Sequence, residues 1–343
     1  MKKIVLAAPL AMILASCGSG GSTDSVSQLS VVGSSTVYPF TTAVAEQFEN
    51  ANEGVRVKVE STGTGSGMKL FCEGLGIDEH DAVNASRKMK ISEFEDCQSN
   101  GVTDIVELTI GIDGLTLIQA QGEEQLNLTS QQVYEALAAN PYGGEQTAQN
   151  WSDISPDLPN APIRVLGPPP TSGTRDSFVE LIMEVGCNAN PAMAELEESN
   201  EDEYKTVCTK IREDEAFTEA GENDNLLVQK VSAEPGRIGI LGYSFVEENL
   251  DKIQPVGLDG VVPTAETIGN LEYPAARLLY VYIKGQHVEN KPALGQFVAA
   301  YKQAWQPGGM LGTRGLVALP EAQRAEADAA ADGMTTLTAA SFE

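Results

Sequence analysis

The sequence has almost no histidine: two residues, His80 and His287, in 343. A serine nucleophile needs a base within hydrogen-bond reach, and neither histidine stands in a catalytic motif. His80 sits among Asp78, Glu79 and Asp81, and His287 in a polar turn after a strand, so both are expected at the surface. No G-x-S-x-G occurs, which argues against a serine hydrolase or phosphatase. Cysteine is scarce too. There are five, with no C-x-x-C pair, so no zinc site, and no other metal or cofactor, is implied. Basic side chains number 22 against 49 acidic ones, a net charge of −27. That balance excludes nucleic acid and anionic membrane surfaces as partners. It also means that an anionic ligand must be held by local dipoles against the overall field. No apolar run beyond residue 14 is long enough to span a bilayer. No internal repeat of roughly 20–50 residues is present. Glycines at 63, 65 and 67 do not make a dinucleotide fingerprint, and Lys69 lacks the context of a P-loop.

What is present begins with a leader. Lys2 and Lys3 precede an apolar run, Ile4 to Leu14, of signal-peptide length. The tetrad Leu14-Ala15-Ser16-Cys17 resembles the lipobox of bacterial lipoproteins, whose cysteine is lipidated. That resemblance implies a leader over 1–17, a lipid on Cys17 and attachment by an anchor rather than a span. A tether of Gly, Ser and Thr follows over 18–28. Gly18 after Cys17 leaves outer-membrane anchoring open. The remaining cysteines, Cys72, Cys97, Cys187 and Cys208, allow three disulfide connectivities in an exported chain. The local pairs Cys72–Cys97 and Cys187–Cys208 are the simplest, each closing a loop of about 20–25 residues worth roughly 3 kcal/mol.

The body of the chain alternates strand and helix patterns, which argues an α/β architecture. Three times a strand runs into a hydroxyl-rich loop that opens a helix. Leu29 to Val32 leads into Gly33-Ser34-Ser35-Thr36-Val37-Tyr38-Pro39. Val55 to Glu60 leads into Ser61-Thr62-Gly63-Thr64-Gly65-Ser66-Gly67. Ile163 to Leu166 leads through Gly167-Pro-Pro-Pro170 into Thr171-Ser172-Gly173-Thr174-Arg175. The last is followed by Phe178, Leu181, Ile182 and Val185, one face of an amphipathic helix. Free N–H groups and the helix dipole make each such start a candidate anion site. An ordinary N-cap explains any one of them alone. Val102 to Leu108 reads as a strand, and Gly111 to Ile118 as a turn plus a strand. Arg277 to Lys284 reads as a further strand. Glu195 to Asp224 reads as exposed acidic helix and loop.

The blocks Gly33-Ser-Ser-Thr-Val-Tyr-Pro-Phe, Gly63-Thr-Gly-Ser-Gly, Asn84-Ala-Ser-Arg-Lys, Trp151-Ser-Asp-Ile, Ser172-Gly-Thr-Arg and Gly236-Arg-Ile-Gly together resemble PstS-type phosphate-binding proteins. These are the cell-envelope receptors of phosphate ABC importers. The blocks follow that family's order over most of the chain. The resemblance implies a two-lobed periplasmic-binding-protein fold of type II, each lobe a mixed sheet flanked by helices, with the ligand in the interlobe cleft. It implies lobe I over 26–109 plus 272–343 and lobe II over 110–271. Hinges would lie near Thr109 and near Tyr273 to Pro274. It implies a monomeric periplasmic receptor that is not an enzyme, with inorganic phosphate as ligand and the permease subunits of a phosphate ABC transporter as partners. Another oxyanion (sulfate, molybdate or tungstate) on the same fold is the alternative.

Carried over by position, the phosphate ligands would be Ser35, Thr36, Val37, Ser66, Ser172, Gly173 and Thr174. Two positions depart from the better-known pattern. Arg87 stands where many members have an aspartate, and Pro168 where many have an arginine. The charge is therefore expected from Arg87 and Arg175, and loss of the Arg175 guanidinium is expected to cost about 2–5 kcal/mol of binding. Phosphate keeps a proton near neutral pH and sulfate does not, so an acceptor in the site would discriminate between them. Asp113 is the candidate acceptor.

Overall fold

A computed structural model describes residues 27–221 and 223–342. The expected leader 1–17, the lipidated Cys17 and the tether up to residue 26 lie outside the described residues. The strands are β1 (Ser27–Gly33), β2 (Val55–Ser61), β3 (Ala82–Ala85), β4 (Ile105–Ala120), β5 (Asn127–Leu128), β6 (Val165–Gly167), β7 (Phe217–Glu219), β8 (Ile238–Gly242), β9 (Ile253–Pro255), β10 (Gly257–Leu258) and β11 (Ala276–Lys284). All but the small parallel pair β5–β10 belong to one sheet of order β2-β1-β3-β11-β4-β8-β6-β7, with β9 also on β4.

The sheet has two halves that share β4. The first half of this 16-residue strand pairs antiparallel with β11, from Ile105 opposite Lys284 to Gly114 opposite Ala276. Its second half, from Leu115 on, pairs with β8 and β9. The strand is buried almost throughout, as expected where elements cover both faces. The sequence suggests two pieces here, broken by a turn at Gly111. The structure shows one strand instead. Glycine is required at 111 because a Cβ there would come within 2.5 Å of Leu316 Cγ and 2.9 Å of Val317 O. It marks a close approach, opposite a register shift between Leu279 and Tyr280.

Each strand–loop–helix unit forms. Helix Tyr38–Ala51 follows β1, with Pro39 in its first turn, where a missing N–H costs nothing. Helix Thr64–Phe71 follows β2, and helix Gly173–Phe178 follows β6. The last runs into a π-turn over Val179–Met183. The wider turn adds a residue and shifts the phase. Phe178 and Ile182 stay fully buried, but Val185, expected on the same face, is 50% exposed. Met183 and Cys187 take the inner positions instead.

Both local disulfides, Cys72–Cys97 and Cys187–Cys208, are formed. The acidic segment after residue 195 is helical over Pro191–Ser199 and Glu201–Cys208, and it buries Tyr204 and Cys208.

His287 is not at the surface, contrary to expectation. It is 4% exposed, and its Nδ1 lies 2.7 Å from Asp81 Oδ1. Asp81 is fully buried and also accepts from the Ser30 N–H (2.8 Å) and from Lys291 Nζ (2.8 and 3.1 Å). Burial alone would raise its pKa. The hydrogen bonds from His287, Lys291 and the Ser30 N–H outweigh that and hold it below the ordinary carboxylate value. Lys284, also fully buried, donates to Gly74 O at 2.5 Å over the Phe71 ring, and burial pushes its ammonium down to about 8. His80 Nδ1 lies 2.8 Å from Ser30 Oγ.

Candidate functional site

The first and third hydroxyl loops meet. Between them lies a cavity of about 470 Å³, walled by Ser35, Thr36, Ser61, Asp113, Thr171, Ser172, Gly173, Thr174, Asp176, Ser177 and Arg314, with Tyr38, Pro39, Phe40 and Pro170 completing it. Glycine at 173 lets the loops close this far, since a Cβ there would lie 3.0 Å from Ser35 O, a tight contact. Ser172 caps its helix, its Oγ accepting from Thr174 N–H at 3.2 Å. The Ser34 Oγ and carbonyl tie the first loop into a turn through Val37 N–H and Tyr38 N–H.

Of the positions expected to bind, Ser35, Thr36, Asp113, Ser172, Gly173 and Thr174 line this one cavity. Val37 does not. Its side chain is fully buried in the core. Ser66 is exposed and outside the lining, to which the second loop contributes only Ser61. That loop instead docks on the first through Thr62 N–H and Gly63 N–H, which both donate to Gly33 O, and Thr64 Oγ1 bonds Ser86.

The two arginines expected to supply charge are engaged elsewhere. Arg87 makes a two-pronged bond to Glu93, at 2.9 and 2.7 Å. This pairing raises the Arg87 pKa and, outweighing burial, lowers that of Glu93. Arg175 turns away from the cavity, donating to Pro168 O at 3.0 Å with its guanidinium 4.8 Å over the Phe217 ring. Burial lowers its pKa. We therefore expect Arg175→Ala to leave anion affinity within about threefold of the parent while lowering stability by about 1–2 kcal/mol, the scale of one hydrogen bond and one cation–π contact. Titration calorimetry and a thermal melt on the same sample check both parts.

The positive charges near the site are ones that sequence reasoning missed. Arg314, in the turn Gly312–Arg314, is exposed at the cavity wall. Arg277, on β11 directly opposite Asp113 on β4, reaches Thr36, Ser177, Asp113 and Glu180. Nothing local marks it, because it sits in an ordinary strand pattern and only the β4–β11 register brings it here. Two carboxylates share the cavity. Asp113 Oδ2 accepts from Ser177 Oγ at 2.7 Å. Asp176 is bonded to Ser35, and burial raises its pKa despite that bond.

The comparisons with known proteins agree with this architecture. A model described as the PBP superfamily domain matches residues 18–300. Among curated proteins, SphX of Synechococcus elongatus is 32% identical over 277 residues, 79% of this chain and 72% of that protein. The phosphate-binding protein PstS of Staphylococcus saprophyticus is 28% identical over 319 residues, 90% of this chain and 87% of its own. A crystal structure from Planctomyces limnophilus, described as a possible phosphate binding protein, superposes with a TM-score of 0.71 at 27% identity, covering 89% of this chain and 98% of that one. An ABC-type phosphate transport receptor from Vibrio cholerae shares the fold, with a TM-score of 0.54 at 18% identity over 86% of this chain and 100% of that one. No described helix is long and apolar enough to cross a membrane. With a family model matched over most of its length and relatives aligned across the same span, the chain belongs to the PBP superfamily, a binding protein related to SphX and PstS rather than an enzyme.

Proposed function

We propose that this protein binds inorganic phosphate in the cavity between the Ser34–Val37 and Thr171–Thr174 loops and hands it to an ABC importer in the membrane. The observation that carries this reading is the pairing of hydroxyls with one open carboxylate. Thr36, Ser172 and Thr174 bring donors to a space that Asp113 also faces. Asp113 Oδ2 is taken by Ser177, while no described residue bonds Asp113 Oδ1. An oxyanion with its own O–H satisfies both kinds of wall, donating to Asp113 and accepting from the hydroxyls. Sulfate, molybdate and tungstate carry no such hydrogen near neutral pH and meet a bare carboxylate.

The ligand would enter and leave by motion of two lobes about the crossing strands. We place that division within β4 at Gly114 to Leu115, where the pairing changes from β11 to β8, five residues beyond the Thr109 read from the sequence, and near Pro274 on the return. This gives lobe I as 27–114 plus 275–342. An envelope location with a lipid on Cys17 completes the proposal, on the strength of the leader and the tetrad ending at Cys17. Permease subunits are the partners that this role requires.

The test is titration calorimetry of the chain from residue 18 with phosphate, arsenate, sulfate and molybdate. Saturable binding of phosphate and arsenate, with sulfate at least about 100-fold weaker (a difference of about 2.7 kcal/mol), is expected. Preference for sulfate or molybdate would overturn the reading.

A further inference from the structure

Arg277 lies one layer behind the cavity. It is absent from the lining, yet it contacts three residues of the wall. Its Nη1 pairs with Glu180 on the helix that follows the third loop. Its Nη2 donates to Thr36 Oγ1 at 3.1 Å and lies 3.4 Å from Ser177 Oγ. Its Nε lies 3.5 Å from Asp113 Oδ2 and has no hydrogen-bond partner. The side chain is 16% exposed.

Hydroxyl bookkeeping then fixes the direction of each bond. A hydroxyl has one hydrogen and two lone pairs, and a guanidinium can only donate. Ser177 therefore accepts from Arg277, and its single hydrogen goes to the nearest acceptor, Asp113 Oδ2 at 2.7 Å. Thr36 likewise accepts from Arg277. Thr36, 4% exposed, is one of the residues that line the cavity, and its hydroxyl also lies 3.4 Å from Ser177 Oγ; among the described residues no bond is donated by the Thr36 hydroxyl. The guanidinium thus occupies one lone pair of Thr36 and leaves its hydrogen unclaimed by the wall behind it.

We propose that Arg277 is a positioning residue for the bound anion, one that holds the Thr36 oxygen from behind so that its hydrogen is the part offered to the ligand, and that keeps the Ser177 hydrogen on Asp113. Asp113 then presents Oδ1 alone to the ligand. Glu180, in the helical segment after the third loop, anchors the guanidinium from the side of that loop. The inference rests on the phosphate reading above.

The experiment is a double-mutant cycle read by phosphate and sulfate titration, with a thermal melt of every variant. Arg277→Gln should weaken phosphate binding by roughly 10–100-fold, the scale of a charge-assisted hydrogen bond. It should also narrow the phosphate-over-sulfate ratio. Arg277→Lys, which retains a charged donor, should recover part of the loss. In a Thr36→Val background the same Arg277→Gln change should cost less than about threefold, because the group it acts through is gone. Should the glutamine variant fail to fold, the cycle is run with Arg277→Lys. Fully additive losses, or an Arg277→Gln protein that binds and discriminates like its parent, would overturn the proposal and leave the phosphate reading intact. A parent protein that binds no phosphate overturns both.

Discussion

Asp113→Asn should weaken phosphate binding by about 10–100-fold and strengthen sulfate binding. The carboxylate is the acceptor left open at the cavity wall. Hydrogen bonds to charged groups contribute about 1.5–3 kcal/mol, and tenfold in affinity is about 1.4 kcal/mol. For phosphate the substitution trades a charged acceptor for an amide that is half donor. For sulfate it removes a like charge from a confined space. The two ligands should therefore move in opposite directions, which a general loosening of the site would not produce. Because Asp113 also sits 3.5 Å from Arg277 Nε, a melting curve must accompany the titrations. An unchanged phosphate-over-sulfate ratio would place the discriminating acceptor elsewhere, with Asp176 the next group to test.

Asp81→Asn should cost about 3–5 kcal/mol of stability, the usual penalty for leaving buried charge without its partner. The lost carboxylate balances Lys291 and accepts from His287 and a backbone N–H, all in a buried setting. For a chain of this size the melting temperature should fall by roughly 10 °C. The pH dependence has a definite sign. The folded-state pKa of Asp81 is lowered, so its contribution is complete above the unfolded value of about 3.9 and is lost as pH falls through the lower folded value. The gap between variant and parent should therefore close in acid, below about pH 4. A gap that is small near neutral pH would mean that Lys291 and His287 find other partners when the carboxylate is removed. Phosphate affinity should change little, because Asp81 lies outside the cavity lining.

The three hydroxyl loops were legible because their signal is local. Each follows an apolar strand, contains Ser, Thr and Gly, and opens a helix within a few residues. Asp113 was legible as a lone acid at a crossover. The positive charges were not. Arg87 and Arg175 adjoin the loops in sequence, but side-chain reach is decided by neighbours in space. Glu93 claims one guanidinium, and Pro168 O with the Phe217 ring claims the other. Arg277 comes from a strand at the far end of the chain and enters the site only through its register with Asp113. Val185 was misplaced because a π-turn breaks the 3.6-residue period, and no local residue pattern announces one. The sequence points His287 to the surface for the same kind of reason, since the carboxylate that draws it inward lies far away in sequence.

The place of β11 also constrains the order of assembly. It lies between β3 and β4, in the middle of the sheet, yet it begins only at residue 276. A chain made from its N-terminus at about 5–20 residues per second must wait on the order of ten seconds or more after β4 is complete before that strand exists. Until then β3 and β4 have unpaired edges facing each other, a template for pairing with another chain. The Cys72–Cys97 bond is local and lies wholly before β4, so in an oxidising compartment it can form before β11 pairs and hold the early segment together. Reduction of this disulfide should therefore do more harm to nascent protein than to finished protein.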